Sequence, residues 1–486
     1  SWVAEVRCLK ARAESRLNVL RYLCGSRWGT SPRAMLSVHR SLISQMVAHH
    51  IPLLHNLPVT TEKVLESILA KGVKLCLGLP RATSNALAMA EAREPPVSAL
   101  RMQETFRHYV RLATRHHRHP QLRAIMSRHH SSFTQAIQTQ RGLIPKHKPH
   151  ALPDIPTWVL QPPDVRTSVP GLPGKKDIPT HVLRQFSLEL LNSSAGRMQI
   201  FTDASTTSSG SSCAFVIPEA NIERAVRLSH VTSATAAELY GVLLAISFIN
   251  SQSSAARWTI YSDSKCALQT LATMFTTGSL ATPAQDVLHA HHAAVLKGHD
   301  IQMQWIPSHC GIAGNEAVDA AARRALQLRR AQVLPIYFTK GDAGRMLNEL
   351  KQRMCNTSWL TGSARDSLLY KVDPGLRFRV PPSFTRQTTT VLHRLRLNVP
   401  YSARLLFKIG KRDSPNCSEC GVVEDVEHIL LRCQKYVDAR RALETSLSRL
   451  DSRAFDITKL LGPPSSDKAL RALEDFLHAT GLMDIL

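Results

Sequence analysis

The sequence predicts an α/β protein in which a mixed five-stranded sheet with flanking helices lies between a helical N-terminal region and a helical C-terminal region with a small zinc-binding module. Three observations lead there. Short apolar runs of strand composition alternate with segments of 3–4 apolar spacing between Gln199 and Ala325. Four acidic residues in that stretch sit in four different contexts. Beyond it, cysteines and a histidine recur at metal-ligand spacing from Cys417 to Cys433.

Taken in order, the central stretch reads as strands over 199–203, 212–217 and 225–231, a helix over 234–250, a strand over 257–262, helices over 264–275 and 283–298, a strand over 301–306 and a helix over 314–328. The first three strands are close enough to form a meander, whereas the later ones are joined through helices. The sheet is therefore mixed. The run Gln199-Ile200-Phe201-Thr202-Asp203 ends on a carboxylate, and so does Trp258-Thr259-Ile260-Tyr261-Ser262-Asp263. Glu238 falls in the first turn of a helix whose apolar face continues through Leu243, Leu244 and Ile246. Asp319 lies on an alanine-rich helix that follows Trp305-Ile306-Pro307-Ser308-His309-Cys310-Gly311. Two carboxylates at strand ends and two on helices converge only if they share one sheet. Converging carboxylates suit hard divalent cations such as Mg²⁺, which prefer oxygen ligands.

At these residues the chain resembles the ribonuclease H family, and specifically the ribonuclease H domains of non-LTR (Jockey/I-like) retrotransposon reverse transcriptase polyproteins. The resemblance rests on Thr202-Asp203-Ala204-Ser205, Thr235-Ala236-Ala237-Glu238-Leu239, Tyr261-Ser262-Asp263-Ser264, and Trp305 to Gly311 with Gly314-Asn315-Glu316 and Asp319. It implies hydrolysis of the RNA strand of RNA/DNA hybrids with two Mg²⁺ ions, for which Mn²⁺ can substitute. Asp203 would bridge both metals, Glu238 and Asp263 would complete one side, and Asp319 would hold the other. His309, in a loop suited to motion, would shuttle protons or assist product release. Ser205 and Asn315 would contact the hybrid backbone, where 2′-hydroxyls distinguish RNA from DNA. Two other readings compete. One is a decayed element that binds nucleic acid without cutting it, and four intact acids together with His309 argue against it. The other is an integrase or transposase of the same superfamily, and the Glu238 helix and the His309 loop argue against that.

The chain of 486 residues has room for several domains, and its net charge of +24 is unevenly placed. Residues 1–150 hold 23 Lys/Arg against 7 Glu, whereas residues 197–330 hold 10 Lys/Arg against 9 Asp/Glu. A basic arm beside a near-neutral catalytic region suits a polyanionic partner, with a merely basic solvated surface as the plainer reading. Ten scattered cysteines suggest no disulfide framework and favour a reducing compartment. The longest apolar run, Leu239 to Ile249, falls short of the roughly 18 residues that span a bilayer, and no signal peptide is visible, so an intracellular, non-membrane protein is expected. Ser1 in place of Met points to a piece of a longer polyprotein.

Residues 1–142 read as basic helices. Val6, Leu9, Ala13, Leu17 and Leu20 trace one apolar face, and helical patterns recur at 32–54, 61–77 and 96–114. The run Arg115-His116-His117-Arg118-His119 lacks acidic or cysteine partners nearby and reads as a solvated or phosphate-facing loop. This region resembles the helical segment after the polymerase palm of non-LTR reverse transcriptases, through Leu23-Cys24-Gly25-Ser26-Arg27-Trp28-Gly29. The first aspartate is Asp154, so the region has no polymerase metal site. Nine prolines between Pro145 and Pro179 mark a linker, set at 143–185, and the ribonuclease H region is set at 190–330. From 335 to 486 the pattern is helical again, with Arg386 to Leu397 basic on one side through Arg386, His393, Arg394 and Arg396. Cys417, Cys420, His428 and Cys433 follow the pattern Cys-x2-Cys-x7-His-x4-Cys, which can close a tetrahedron around a structural Zn²⁺. Pro415, Gly421, Glu427 and Leu430 extend the resemblance to the zinc-binding tail of the same polyproteins.

Overall fold

The computed structural model describes residues 2–486 apart from 55–56, 114–119, 128–130, 139–143, 149–154, 157–158, 173–177, 195, 278–281, 329–331 and 362. The Arg115–His119 run lies outside the described residues. The chain forms two compact units. One comprises Tyr109–His130 and Ile137–Met346, and the other Ser1–His108, Ser131–Ala136 and Leu347–Leu486.

The first unit is built on a seven-stranded mixed sheet. Its strands are β1 (Asp164–Arg166), β2 (Met198–Thr206), β3 (Ser211–Ile217), β4 (Ile222–Leu228), β5 (Arg257–Ser262), β6 (Asp300–Trp305) and β7 (Val333–Leu334), in the order β1-β6-β5-β2-β3-β4-β7. Strands β2, β3 and β4 form the antiparallel meander, and β5 and β6 join it in parallel through helices. Side chains alternate across the sheet with period two, as the pleat requires. Ile200, Phe215 and Ile260 enter one core with the Ala234–Asn250 helix, and Phe201, Ala214 and Tyr261 enter the opposite one with the Ala313–Gln327 helix.

The expected five strands become seven. Strand β1 rises out of the proline-rich segment read as a linker and pairs in parallel with β6, while Leu160 and Val169 on either side of it are buried in the sheet's core. Proline cannot donate to a ladder, so pairing is confined to three residues at the sheet edge. The helix Thr180–Ser193 also begins inside that segment and packs Leu183 and Leu191 beneath the sheet. At the other edge β7 adds two residues to β4.

The second unit is helical among its described residues. In the Trp2–Leu23 helix Val6, Leu9, Ala13, Leu17 and Leu20 are all buried, as their spacing predicts, against the Val59–Leu77 helix. Residues 1–142 and 335–486, set apart in the sequence reading, supply much of this unit together, since Trp359, Leu369 and Leu397 share a core with the N-terminal helices.

The Arg386–Arg396 helix is the clearest correction. Its cations face inward. Arg396, only 1% exposed, donates to Glu91 at 2.8 Å and 3.1 Å and to Asp373 at 2.9 Å, and His393 meets the same Glu91 at 2.7 Å. Arg394 donates to the carbonyls of Gly78 and Leu486, and Arg386 to those of Gly25, Leu75 and Cys76. Burial alone would raise the Glu91 pKa, but the Arg396 guanidinium and His393 hold it down to about 2. The helix is a buried staple, and its guanidiniums are occupied by the protein itself.

Candidate metal centres

Strand register explains how the first two acids meet. Thr202 pairs with Ser262 as the last pair of the parallel β2–β5 ladder, so Asp203 and Asp263 follow side by side just beyond it. Asp203 does not end its strand as expected, because β2 runs on to Thr206 against β3. Glu238 arrives from above. Ser233 caps the Ala234–Asn250 helix through the Ala236 N–H at 3.2 Å, which fixes the first turn over the strand ends. Ligand oxygens of Asp203, Glu238 and Asp263 all lie within 4.8 Å of one another.

Electrostatics there are unfavourable for the bare protein. Burial, then the charge of Asp263 and that of Asp319, push the Asp203 pKa up to about 7, even though the Ala204 N–H donates to its Oδ1 at 2.7 Å. Burial and then Asp203 raise Glu238 well above the ordinary carboxylate range. One buried Glu238 oxygen, Oε2, has no hydrogen-bond partner among the described residues. A divalent cation would relieve both faults at once, by neutralising the repulsion and filling the orphaned oxygen's vacancy. Opposed ligands of an octahedral Mg²⁺ lie about 4.2 Å apart, comparable with the observed spread. The residues present fit such an ion.

Asp319 departs from the expected single cluster of four. Its carboxylate groups within 4.8 Å with His309 and Glu316, and it forms an ion pair with Arg323 at 2.8 Å. Its charge nevertheless reaches Asp203, so it faces the same site. The physical reason is local. Arg323 stands one turn along the same helix and draws the acid toward itself. That helix can approach the sheet closely because Gly314 lies against Phe201, where a Cβ would come within 2.4 Å of the ring. Asn315 is 3% exposed and directs its Nδ2 at Asp263 Oδ2, 3.4 Å away, while its own Oδ1 finds no partner among the described residues. His309 is exposed, with φ of 54°, in the loop after β6. Ser205 follows Asp203 by two residues on β2 and so shares its face of the strand. Glu316 joins the group of His309 and Asp319 without having been singled out as a candidate ligand in the sequence. Its i,i+3 relation to Asp319 on a helix was the available signal.

The second centre gathers Cys417, Cys420, His428 and Cys433, whose ligand atoms all lie within 4.8 Å of one another. Cys433 Sγ stands 3.9 Å from both Cys417 Sγ and Cys420 Sγ. A disulfide needs about 2.05 Å, whereas a tetrahedron with Zn–S bonds of about 2.3 Å has edges of about 3.8 Å. A turn with the Asn416–Val423 bridge and left-handed Gly421 presents the first two thiols, and the turn from His428 to Arg432 brings the other ligands back. His428 Nε2 is buried without a partner among the described residues, and the Gln434 N–H approaches Cys420 Sγ at 3.5 Å. Burial, and then the Cys417 and Cys420 thiols crowding it, push the Cys433 thiol up to about 12 despite the Lys435 N–H. Crowded thiols and an orphaned imidazole fit Zn²⁺.

A mixed sheet with two acids side by side just past the parallel pairing of neighbouring strands, and two more on flanking helices, is an RNase H-like arrangement. Residues 195–327 match the RNase H family model, a span that contains β2 to β6 and all four acids. No curated protein matches the chain. Among the described residues no helix is long and apolar enough to cross a membrane.

Proposed function

We propose that the chain hydrolyses the RNA strand of RNA/DNA hybrids endonucleolytically, with divalent metal held by Asp203, Glu238, Asp263 and Asp319. The observation that carries this reading is the trio of carboxylates from β2, β5 and one helix, brought within 4.8 Å with a buried Glu238 oxygen left unpartnered. When bound, two Mg²⁺ ions supply an activated water and stabilise the leaving oxygen. The protein's own residues do the rest. Asp203 and Asp263 are fixed by the β2–β5 ladder, so they present ligand oxygens without reorganising. Asn315 orients Asp263 by hydrogen bonding. His309 would carry a proton between solvent and the reacting phosphate, a role supported by its exposure and its grouping with Glu316 and Asp319. Ser205, partly exposed on the Asp203 face of β2, would meet the hybrid backbone, whereas Asn315, 3% exposed, would act through Asp263 rather than touch the backbone directly.

The reading extends to origin and architecture. The motif resemblance supports derivation from a non-LTR retrotransposon polyprotein, and the four-ligand cluster at 417–433 supports a structural Zn²⁺. Cleavage of a labelled RNA/DNA hybrid, with and without Mg²⁺, tests the activity. A parent protein that leaves the hybrid intact at every Mg²⁺ concentration, while cutting single-stranded RNA, would replace this reading with another nuclease.

A further inference from the structure

The helix Thr180–Ser193 precedes the segment that matches the RNase H family model, yet it is built into that segment's core. Leu183 and Leu191 pack with Ile306, Cys310 and Ile312, so the helix runs beneath the loop that carries His309. From its solvent side Arg184 reaches onto that loop. Its Cδ and Nε lie 3.6 Å from the point where a Cβ on Gly311 would stand. Gly311 has φ of +78°, a conformation that disfavours any side chain, so the arginine stem rests on bare backbone.

Arg184 is exposed, and among the described residues it has no ion-pair partner. The contrast with the buried arginines of the Arg386–Arg396 helix is direct, because those guanidiniums are fully occupied. Two residues before Gly311, His309 groups with the carboxylates of Glu316 and Asp319. Arg323 is already paired with Asp319 at that acidic rim, so an approaching polyanion gains most from a cation that is not so engaged. Arginine suits the task, since its planar fork can hold a phosphate through two parallel hydrogen bonds.

We infer that Arg184 is a substrate-positioning residue that clamps a backbone phosphate of the bound hybrid beside the His309 loop, supplied by a helix outside the RNase H-matched segment. This rests on the hybrid-directed reading above. A bracing role for the loop would need only the stem's packing. A clamp needs the charge.

The test uses the full chain carrying Asp203→Asn, so that binding is measured without turnover, with a labelled RNA/DNA hybrid and Mg²⁺ at two salt concentrations. Adding Arg184→Ala should weaken binding about five- to tenfold and reduce the salt slope by just under one, as the loss of one phosphate contact requires. Arg184→Lys should retain the slope and most of the affinity. In the chain with Asp203 intact, Arg184→Ala should raise KM more than it lowers kcat. Equal affinity and slope for Arg184→Ala and its parent would overturn the clamp and leave the ribonuclease reading standing. Loss of affinity that Arg184→Lys fails to restore would assign the residue to bracing. Hybrid binding by a parent that does not cut would sink the ribonuclease reading alone, and no hybrid binding at all would end both.

Discussion

Two buried carboxylate sites in this chain meet opposite fates. Glu91 is held down to about 2 because Arg396 and His393 offset the cost of its burial. Asp203 is pushed up to about 7 because burial is compounded by two further acids. The first site is electrically complete within the protein and belongs to its architecture. The second has no such counter-charge among the described residues, and a cation from solution would complete it. A buried acid therefore signals structure or chemistry according to who supplies the cation.

Removing one ligand from the incomplete site should have the largest effect. Asp203→Asn preserves volume but withdraws one carboxylate of the trio, and hybrid cleavage should fall roughly a hundredfold or more. Steady-state rates on a labelled hybrid measure this, and a variant that cuts as fast as its parent ends the claim of ribonuclease H chemistry. Binding should persist, since one repelling charge has gone.

At the complete site the loss should appear in stability instead. Arg396→Met strands Glu91 and Asp373 without their shared guanidinium, at a cost of about 3–5 kcal/mol. Chemical denaturation followed by circular dichroism would show it, and an unchanged midpoint would mean that the staple is ornamental.

Acidity should separate the sites by sign. Glu91 has a folded pKa below its ordinary value, so its stabilisation is present above about pH 4.5 and is lost as pH falls toward 2. Asp203 has a folded pKa above its ordinary value, so the metal-free protein loses stability as pH rises from about 4 to about 7. The second slope should amount to a few kcal/mol and should flatten when Mg²⁺ is added or when Asp203 is asparagine. Melting temperatures at pH 5 and 7.5, compared between Asp203→Asn and its parent with chelator and with Mg²⁺, provide the reading. Parallel slopes would refute it.

The smallest effect on cleavage is expected from Cys417→Ser. It should lower zinc content measured by atomic absorption while leaving the hybrid cleavage rate within about twofold, since a Zn²⁺ held there would shape the local fold rather than the reaction. A collapse of cleavage would tie the two centres together.

What the sequence disclosed follows from the range of its signals. The strands and helices between 198 and 327 declare themselves by period, and the side-by-side pair Asp203 and Asp263 could be anticipated from the likeness of the two runs that carry them, although β2 runs on past Asp203 to Thr206. β1 and β7 were hidden because two or three residues carry no period. The Arg386–Arg396 helix misled for a different reason. Its amphipathic pattern is real, but the acids that hold Arg396 lie 23 and 305 residues away, and no local rule announces partners at those distances. Glu316 was not singled out although its spacing from Asp319 was in view.

That separation also sets a clock. At about 5–20 residues per second, a ribosome that has just made Glu91 needs roughly 15–60 seconds to deliver Arg396. Through that interval the N-terminal helices hold an acid without its counter-charge and lack the apolar cover that Trp359 and Leu397 bring. The sheet-bearing stretch from Ile137 to Met346 emerges meanwhile and is free to fold on its own schedule. Until that delivery the core shared by the N-terminal helices with Trp359 and Leu397 stays open on one side.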